Sequence, residues 1–456
     1  MRRQLRAAAA AGAGQSQSVA GQSPPGRLFS LPWISPIFLA TGSSMFLLAH
    51  LAAACFLTSG ARVAPAPAAP RRDVLPTWRV DLRPAIGGPL VGVQLGGEQS
   101  GAPAVSLGYL DADTIVASFV TRAAPGALVP RGAPAFALHL IFILPSSGAS
   151  TRAVVWPAVT DNAAIIWAAR GKFLVRDGAR LALYSRQLRP LGETSLPDND
   201  WHALNINSYP SIGDYLLFVK WRSPPGAASW LALDAQALTW RDRWDSGPIS
   251  QAIGPEGVIV GIGQDAARCR QSLLVKPPGT PWRRVGADQW WMSTDTPTFV
   301  GPGLLMLRIA PPPTYLGPSL GCDLSADVVG LAILSLRSHR ILAVDNAVRA
   351  EAGTRYWMVR LYATGTPGRA AVLSFVIKHP LFALDPTGRA LLREIILYDA
   401  PAYSRSFTLR LKGPTIELWP TFRAALSPDG LHAAILSGTT VEMFALPPPA
   451  PANRNP

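Results

Sequence analysis

Cysteine is almost missing from this chain: three residues in 456, at Cys55, Cys269 and Cys322. No CxxC or CxxCH pair exists, which excludes a thioredoxin-like redox centre and covalently attached haem. Histidine is also scarce. His50, His139, His202, His339, His379 and His432 never fall within five residues of one another, so there is no HExxH or HxH metal pair, and they read as structural side chains. A GxSxG elbow, a GxxxxGK phosphate loop and a strand–GxGxxG–helix unit are all lacking. Gly261-Ile262-Gly263 has no helix behind it and reads as a tight turn between strands, so no cofactor is expected. Acids are outnumbered, 28 against 42 basic residues, for a net charge of +14. The arginines are scattered and form no dense run in the body. That argues against a nucleic-acid face and for a solvated surface, with weak affinity for anionic envelope polymers as the alternative.

What the chain does have is a recurring short apolar strand that ends in Asp, Ser, Pro or Lys. It stands at Ile141–Pro145, Leu181–Ser185, Trp230–Asp234, Ser272–Lys276, Leu331–Ser335, Ile395–Asp399 and Met443–Pro447. Counted at the last residue, the steps are 40, 49, 42, 59, 64 and 48 residues. Seven strand-rich units of that size predict an all-β propeller, each blade a four-stranded sheet. The two longest steps leave room for an insertion or an extra partial blade. The rival architecture is a tandem of β-sandwiches. Thr114–Val120 alternates, whereas Val258–Ile262 and Val372–Ile377 are nearly continuous apolar runs. Gly254-Pro255-Glu256-Gly257, Asp385-Pro386-Thr387-Gly388 and Ser427-Pro428-Asp429-Gly430 share one turn pattern, with Asp177-Gly178 a shorter turn.

A further strand follows six of the seven repeats, at Thr151–Trp156, Arg189–Leu196, Leu238–Trp244, Trp282–Val285, His339–Val344 and Ser406–Leu411. After the seventh there is only a proline-rich tail, residues 448–456, expected to be disordered. Thr77–Leu82, in turn, has no hairpin partner upstream. The economical reading is that this N-terminal strand supplies the missing outer strand of the last blade and closes the ring over residues 77–447.

Residues 1–60 read as a signal peptide or membrane anchor. Arg2, Arg3, Arg6 and Arg27 precede an apolar stretch from Leu28 to Leu57. Three fates are open to it: a retained helix, cleavage after Ala61, or lipidation at Cys55 within Leu51-Ala52-Ala53-Ala54-Cys55. Each places the body outside the cytoplasm, periplasmic or tethered to the membrane. Residues 61–76 form a Pro/Ala linker. Cys269 and Cys322 fall on adjacent units, so a disulfide between them stands beside two separate buried thiols as a reading.

Catalytic candidates do not separate themselves. The acid pairs Asp111/Asp113, Asp198/Asp200, Asp242/Asp245 and Asp323/Asp327 sit where acids usually bond their own backbone. Among the 14 tryptophans, Trp240 and Trp244 suit a place between blades. Trp290 and Trp291 cannot both point to one face of a strand, which makes them the candidate ligand contact.

Ala232-Leu233-Asp234 through Trp244 resembles the AxDxxTGxxxW blade motif of quinoprotein propellers, without its Thr-Gly. Ser427-Pro428-Asp429-Gly430 with the two strands after it is similar to the closing blades of WD40-like bacterial propellers, without a GH…WD signature. The body as a whole resembles exported bacterial propellers. The resemblance implies fold and export and carries no cofactor motif. The function expected is a non-catalytic binding or scaffold module for a protein or cell-envelope ligand. A hydrolase or lyase acting on polysaccharide or peptide in the central channel is the alternative.

Overall fold

The computed structural model describes residues 70–449, apart from 89, 91–104, 123–134, 204–212, 222–227, 246, 249, 266–269, 286–296, 310–313, 318–320, 324–329, 346–356, 379–389 and 413–422. The described chain is a seven-bladed β-propeller. Blade 1 is β3 (Ser106–Asp111), β4 (Thr114–Arg122), β5 (Phe136–Ile143) and β6 (Ser150–Ala158). Blade 2 is β7 (Ala164–Ala169), β8 (Lys172–Asp177), β9 (Arg180–Ser185) and β10 (Pro190–Ser195). Blade 3 is β11 (His202–Ala203), β12 (Tyr215–Trp221), β13 (Ala228–Asp234) and β14 (Thr239–Asp245). Blade 4 is β15 (Ser250–Ile253), β16 (Ile259–Asp265), β17 (Arg270–Lys276) and β18 (Arg283–Val285). Blade 5 is β19 (Thr298–Gly301), β20 (Leu304–Ile309), β23 (Gly330–Ser335) and β24 (Arg340–Asp345); the hairpin β21 (Thr314–Gly317) and β22 (Gly321–Asp323) is inserted after β20. Blade 6 is β25 (Trp357–Thr366), β26 (Arg369–Lys378), β27 (Ala390–Asp399) and β28 (Ser404–Leu411). Blade 7 is β29 (Arg423–Leu426), β30 (His432–Ser437) and β31 (Thr440–Ala445), completed by β2 (Trp78–Asp81).

All seven recurring apolar segments occupy the third strand of a blade. The reason is lateral burial. A third strand has a neighbour on each side and a neighbouring blade against each face, so residues of both parities must be apolar. In β27, Ile395 and Leu397 face blade 7 while Ile396 and Tyr398 face blade 5. Seven apolar layers result, each shared by two adjacent blades, and the layer between blades 7 and 1 shuts the ring. Fourth strands cover only the rim and alternate, as β14 and β24 do.

The polar residue at the end of the third strand also has a physical role, because it ties down the turn to the fourth strand. Asp234 Oδ1 accepts from the backbone N–H groups of Gln236 and Ala237, Ser335 Oγ from that of Ser338, and Ser185 Oγ from that of Arg189. These turns end on a residue at positive φ, namely Gly148, Leu188, Leu238, Gly279, His339 or Tyr403. Four non-glycine residues in one recurrent position mark a turn type rather than local functional strain.

Ring closure follows the expected route. β2 pairs antiparallel with β31, placing Trp78 opposite Met443 and Asp81 opposite Thr440. The Trp78 indole donates to the Pro145 carbonyl at 2.6 Å, and its ring lies over Gly148, where a Cβ would approach within 2.6 Å. Glycine at 148 lets the closing strand seat against blade 1. Helix α1 (Arg83–Ile86) then leads the chain toward blade 1.

Three features differ from the sequence reading. Thr114–Val120, read as alternating, is buried throughout, because β4 is a second strand with blades on both faces. Gly261-Ile262-Gly263 is the middle of β16 and not a turn: Gly261 pairs with both Gln251 and Leu274. Within the span read as linker, β1 (Arg71–Val74) pairs in parallel with β28 and adds a fifth strand to blade 6.

Candidate functional site

The side chains singled out from sequence lie largely beyond description. Cys55, Cys269, Trp290 and Trp291 are outside the described residues, and of Cys322 only the backbone is described, in β22 opposite Tyr315. The leader and residues 450–456 are outside as well. No helix among the described residues is long and apolar enough to cross a membrane, and no group of three metal-ligating side chains occurs among them.

Where the acid pairs are described, all of their carboxylates but that of Asp113 have a partner. Asp111 accepts from the Asp113 N–H, and Asp198 from the Asp200 N–H. Lys220 Nζ bridges Asp198 at 2.6 Å and Asp200 at 3.1 Å. Asp242 pairs with Lys276 across the blade 3–4 boundary, and Asp245 accepts from Ser229. Asp327 and the Asp323 side chain are outside the described residues. Burial pushes the Asp234 carboxyl up, yet hydrogen bonds from Arg241 and the turn N–H groups outweigh this and hold it below the ordinary carboxylate value. Asp429 behaves alike, with burial offset by Ser427 and the Leu431 N–H. These acids build turns and blade boundaries.

The tryptophans of blade 3 form an array. Trp230 stacks on Trp244 with ring centroids 6.3 Å apart and meets Trp221 edge-on at 6.2 Å. The Lys276 ammonium sits 5.1 Å from the centre of the Trp244 ring. Trp230 is fully buried and Trp221 half exposed, so most of this aromatic surface fills the gap between blades 3 and 4. Trp240 packs edge-on against Phe218.

Two concave places are formed among the described residues. A shallow groove of about 640 Å³ at the rim between blades 2 and 3 is floored by Leu231 and Trp240 and edged by Arg241 and Arg243. A more enclosed cleft of about 470 Å³ lies between blades 4 and 5, on the face where first-to-second and third-to-fourth strand turns gather. Its floor is Phe299, Val275 and Leu336, where the apolar layer of these two blades opens to solvent. Arg283, Arg337 and His339 edge it, with Glu256 opposite in sign.

The cleft is framed by tight turns. Gly257 N–H donates to the Gly254 carbonyl at 3.0 Å, Leu336 N–H to the Gly303 carbonyl at 2.8 Å, and Thr280 N–H to the Pro277 carbonyl at 3.1 Å. A Cβ at Gly254 would fall 2.5 Å from the Phe299 ring, so glycine there is what lets the ring line the cleft. Sequence reasoning found the Gly254–Gly257 turn but not the cleft, because its members come from six turns or strand ends of two blades and share no short motif.

The two faces of the ring differ in the connections they carry. Second-to-third and fourth-to-first connections include the segments 123–134, 266–269, 286–296, 346–356, 379–389 and 413–422; the opposite face carries mostly turns of a few residues.

No protein-family model matches the chain, and no curated protein matches it. Among solved structures, a chain of the crystal structure of the mitotic checkpoint complex is similar at 12% identity over 83% of this chain and 94% of that one, with a TM-score of 0.43. The Pan2 WD40 domain of Neurospora crassa is similar at 8% identity over 82% and 95%, TM-score 0.43. The β-propeller domain of the Trilobed protease from Pyrococcus furiosus, titled as having an open velcro topology, is similar at 9% identity over 76% and 94%, TM-score 0.41. The fold and the blade count given above stand on the strand pairing of this chain and not on these likenesses.

Proposed function

We propose that this protein is an extracytoplasmic, non-catalytic binding or scaffold module, whose ring offers the face with long connections to a protein or cell-envelope partner. The observation that carries this reading is the closed ring itself: both chain ends share blade 7, and every pair of adjacent blades shares a buried apolar layer. Such a body holds loops in fixed relative positions, as docking requires. The proposed location rests on the four arginines followed by the apolar stretch up to Leu57. The engagement of the described acid pairs in turns and ion pairs favours binding over hydrolysis or lyase chemistry. A photo-crosslinking residue at exposed Asp161 or Asn199, on the long-connection face, is expected to give a discrete adduct in intact cells. The same residue at Asp113 or Arg337, on the opposite face, is expected to give none. Equal labelling from both faces, or none from either, overturns the reading.

A further inference from the structure

We propose that the cleft between blades 4 and 5 is a binding site for a small monoanionic carboxylate carried on an apolar body. The site lies on the tight-turn face and is independent of the docking face described above. Its volume, about 470 Å³, falls in the range of small-molecule sites. Its chemistry is split in the way such a ligand requires. Phe299, Val275 and Leu336 supply an apolar floor, and Arg283 and Arg337 supply guanidinium forks at the rim, which His339 shares.

What makes these arginines available to a ligand is that neither is held in an ion pair among the described residues. Several other guanidiniums of the ring are held: Arg369 with Asp399, Arg393 with Glu442, Arg405 with Asp345, Arg241 with Asp234 and Arg180 with Glu193. Among the described residues neither Arg283 nor Arg337 meets an acid. Two guanidiniums edging one apolar cleft are a preformed seat for an anion, and the planar fork matches a carboxylate bidentately. Glu256 at the same rim sets the valence. It leaves an excess of positive charge for a monoanion but repels the second charge of a phosphate dianion. The apolar floor favours a ligand with an apolar body over a fully polar anion.

The test is calorimetric titration of the full-length protein with 4-phenylbutyrate, 4-phenyl-1-butanol and phenyl phosphate. The carboxylate is expected to bind, with the neutral alcohol and the phosphate each at least about ten-fold weaker. Arg337→Gln and Arg283→Gln alter exposed side chains and are expected to weaken the carboxylate roughly ten-fold each without lowering the Tm. Glu256→Gln is expected to bring phenyl phosphate level with the carboxylate. Gly254→Ala pushes on the Phe299 ring and is expected to close the cleft; the arginine variants decide the matter if it unfolds the protein. The proposal is overturned if the carboxylate shows no binding up to about 10 mM, if the alcohol binds as tightly, or if Arg337→Gln leaves the affinity unchanged.

Discussion

The boundary between blades 6 and 7 and the boundary between blades 3 and 4 solve the same problem, holding one sheet against the next, with different emphasis. At blades 6 and 7 the cross-ties are buried charges. Arg369, 1% exposed, forms a bidentate pair with Asp399 and also donates to the carbonyls of Gly430 and Pro447. Arg393 donates to Glu442, which is fully buried in blade 7. Between blades 3 and 4 the material is mostly aromatic: the Trp221, Trp230 and Trp244 array with Lys276 over its outer ring, and a single Lys276–Asp242 ion pair beside it. Packing is non-directional and tolerates small slides, whereas a buried ion pair is satisfied in one geometry only. The chain runs on from one blade to the next at both boundaries, so connectivity gives proximity at each and the cross-ties set how closely the geometry is fixed. At blades 6 and 7 the buried charges supply direction as well as contact.

That contrast can be broken by substitution. The largest effect is expected between blades 6 and 7. Arg393→Met leaves buried Glu442 without its hydrogen-bonded partner, with only Arg79 remaining at 4.0 Å, and is expected to cost about 3 kcal/mol in denaturant unfolding. The double variant Arg393→Met/Glu442→Leu is expected to recover most or all of this, since apolar replacement of a buried pair is often neutral or stabilising. Nη2 of Arg393 and Oε1 of Glu442 lack hydrogen bonds, which strengthens that expectation. If the double variant is as unstable as the single one, the pair contributes more than register. Next comes Trp244→Ala, expected to cost about 2 kcal/mol, the value of one large half-buried ring. No companion substitution should rescue it, because packing has no single partner. Smaller again is Lys276→Met, which removes the cation over Trp244 and the Asp242 pair and is expected to cost about 1 kcal/mol.

The same physics decides what could be read from sequence. Third strands were legible because two-sided burial forces an unbroken apolar run, and their polar last residue was legible because each caps a turn. β2 could be assigned to blade 7 because blade 7 lacked a fourth strand and TWRVDL lacked a hairpin partner. β1 was not legible. Arg71–Val74 is short and polar, and its pairing with β28 rests on backbone groups that leave no side-chain pattern. Nor was the inserted hairpin β21–β22, which appeared only as the 59-residue step ending at Ser335. β4 was misread because Thr114 and Ser118 break the apolar run of Thr114–Val120 like an outward face, though both are buried; Ser118 bonds Ser106 and the Ile165 N–H, and Thr121, just past the run, bonds His139. The cleft was illegible for another reason. Arg283, Arg337 and His339 are ordinary turn or rim residues until blades 4 and 5 bring them together.

The smallest effect concerns His139, which lies on the face of blade 1 turned toward blade 7, the seam where the ring closes. Its Nε2 is 2.9 Å from the Thr121 hydroxyl, and its Nδ1 has no hydrogen-bond partner. Burial lowers its pKa below the ordinary 6.5, against a smaller upward influence from the Ala85 backbone on α1. The fold therefore holds a neutral imidazole, while the unfolded chain takes up a proton near pH 6.5. Stability linked to this group is full above pH 6.5 and is lost as pH falls from there toward the lowered folded value. His202, whose pKa is lowered chiefly by burial and secondly by Arg176, acts in the same direction from blade 3. His139→Gln is expected to shrink the drop in Tm between pH 7.5 and pH 5.5 by about 1 °C. His202→Gln should do so independently and additively, since the two lie in different blades. If His139→Gln changes the Tm equally at both pH values, the ring there is held by shape alone, and acid sensitivity at the seam belongs to the carboxylates.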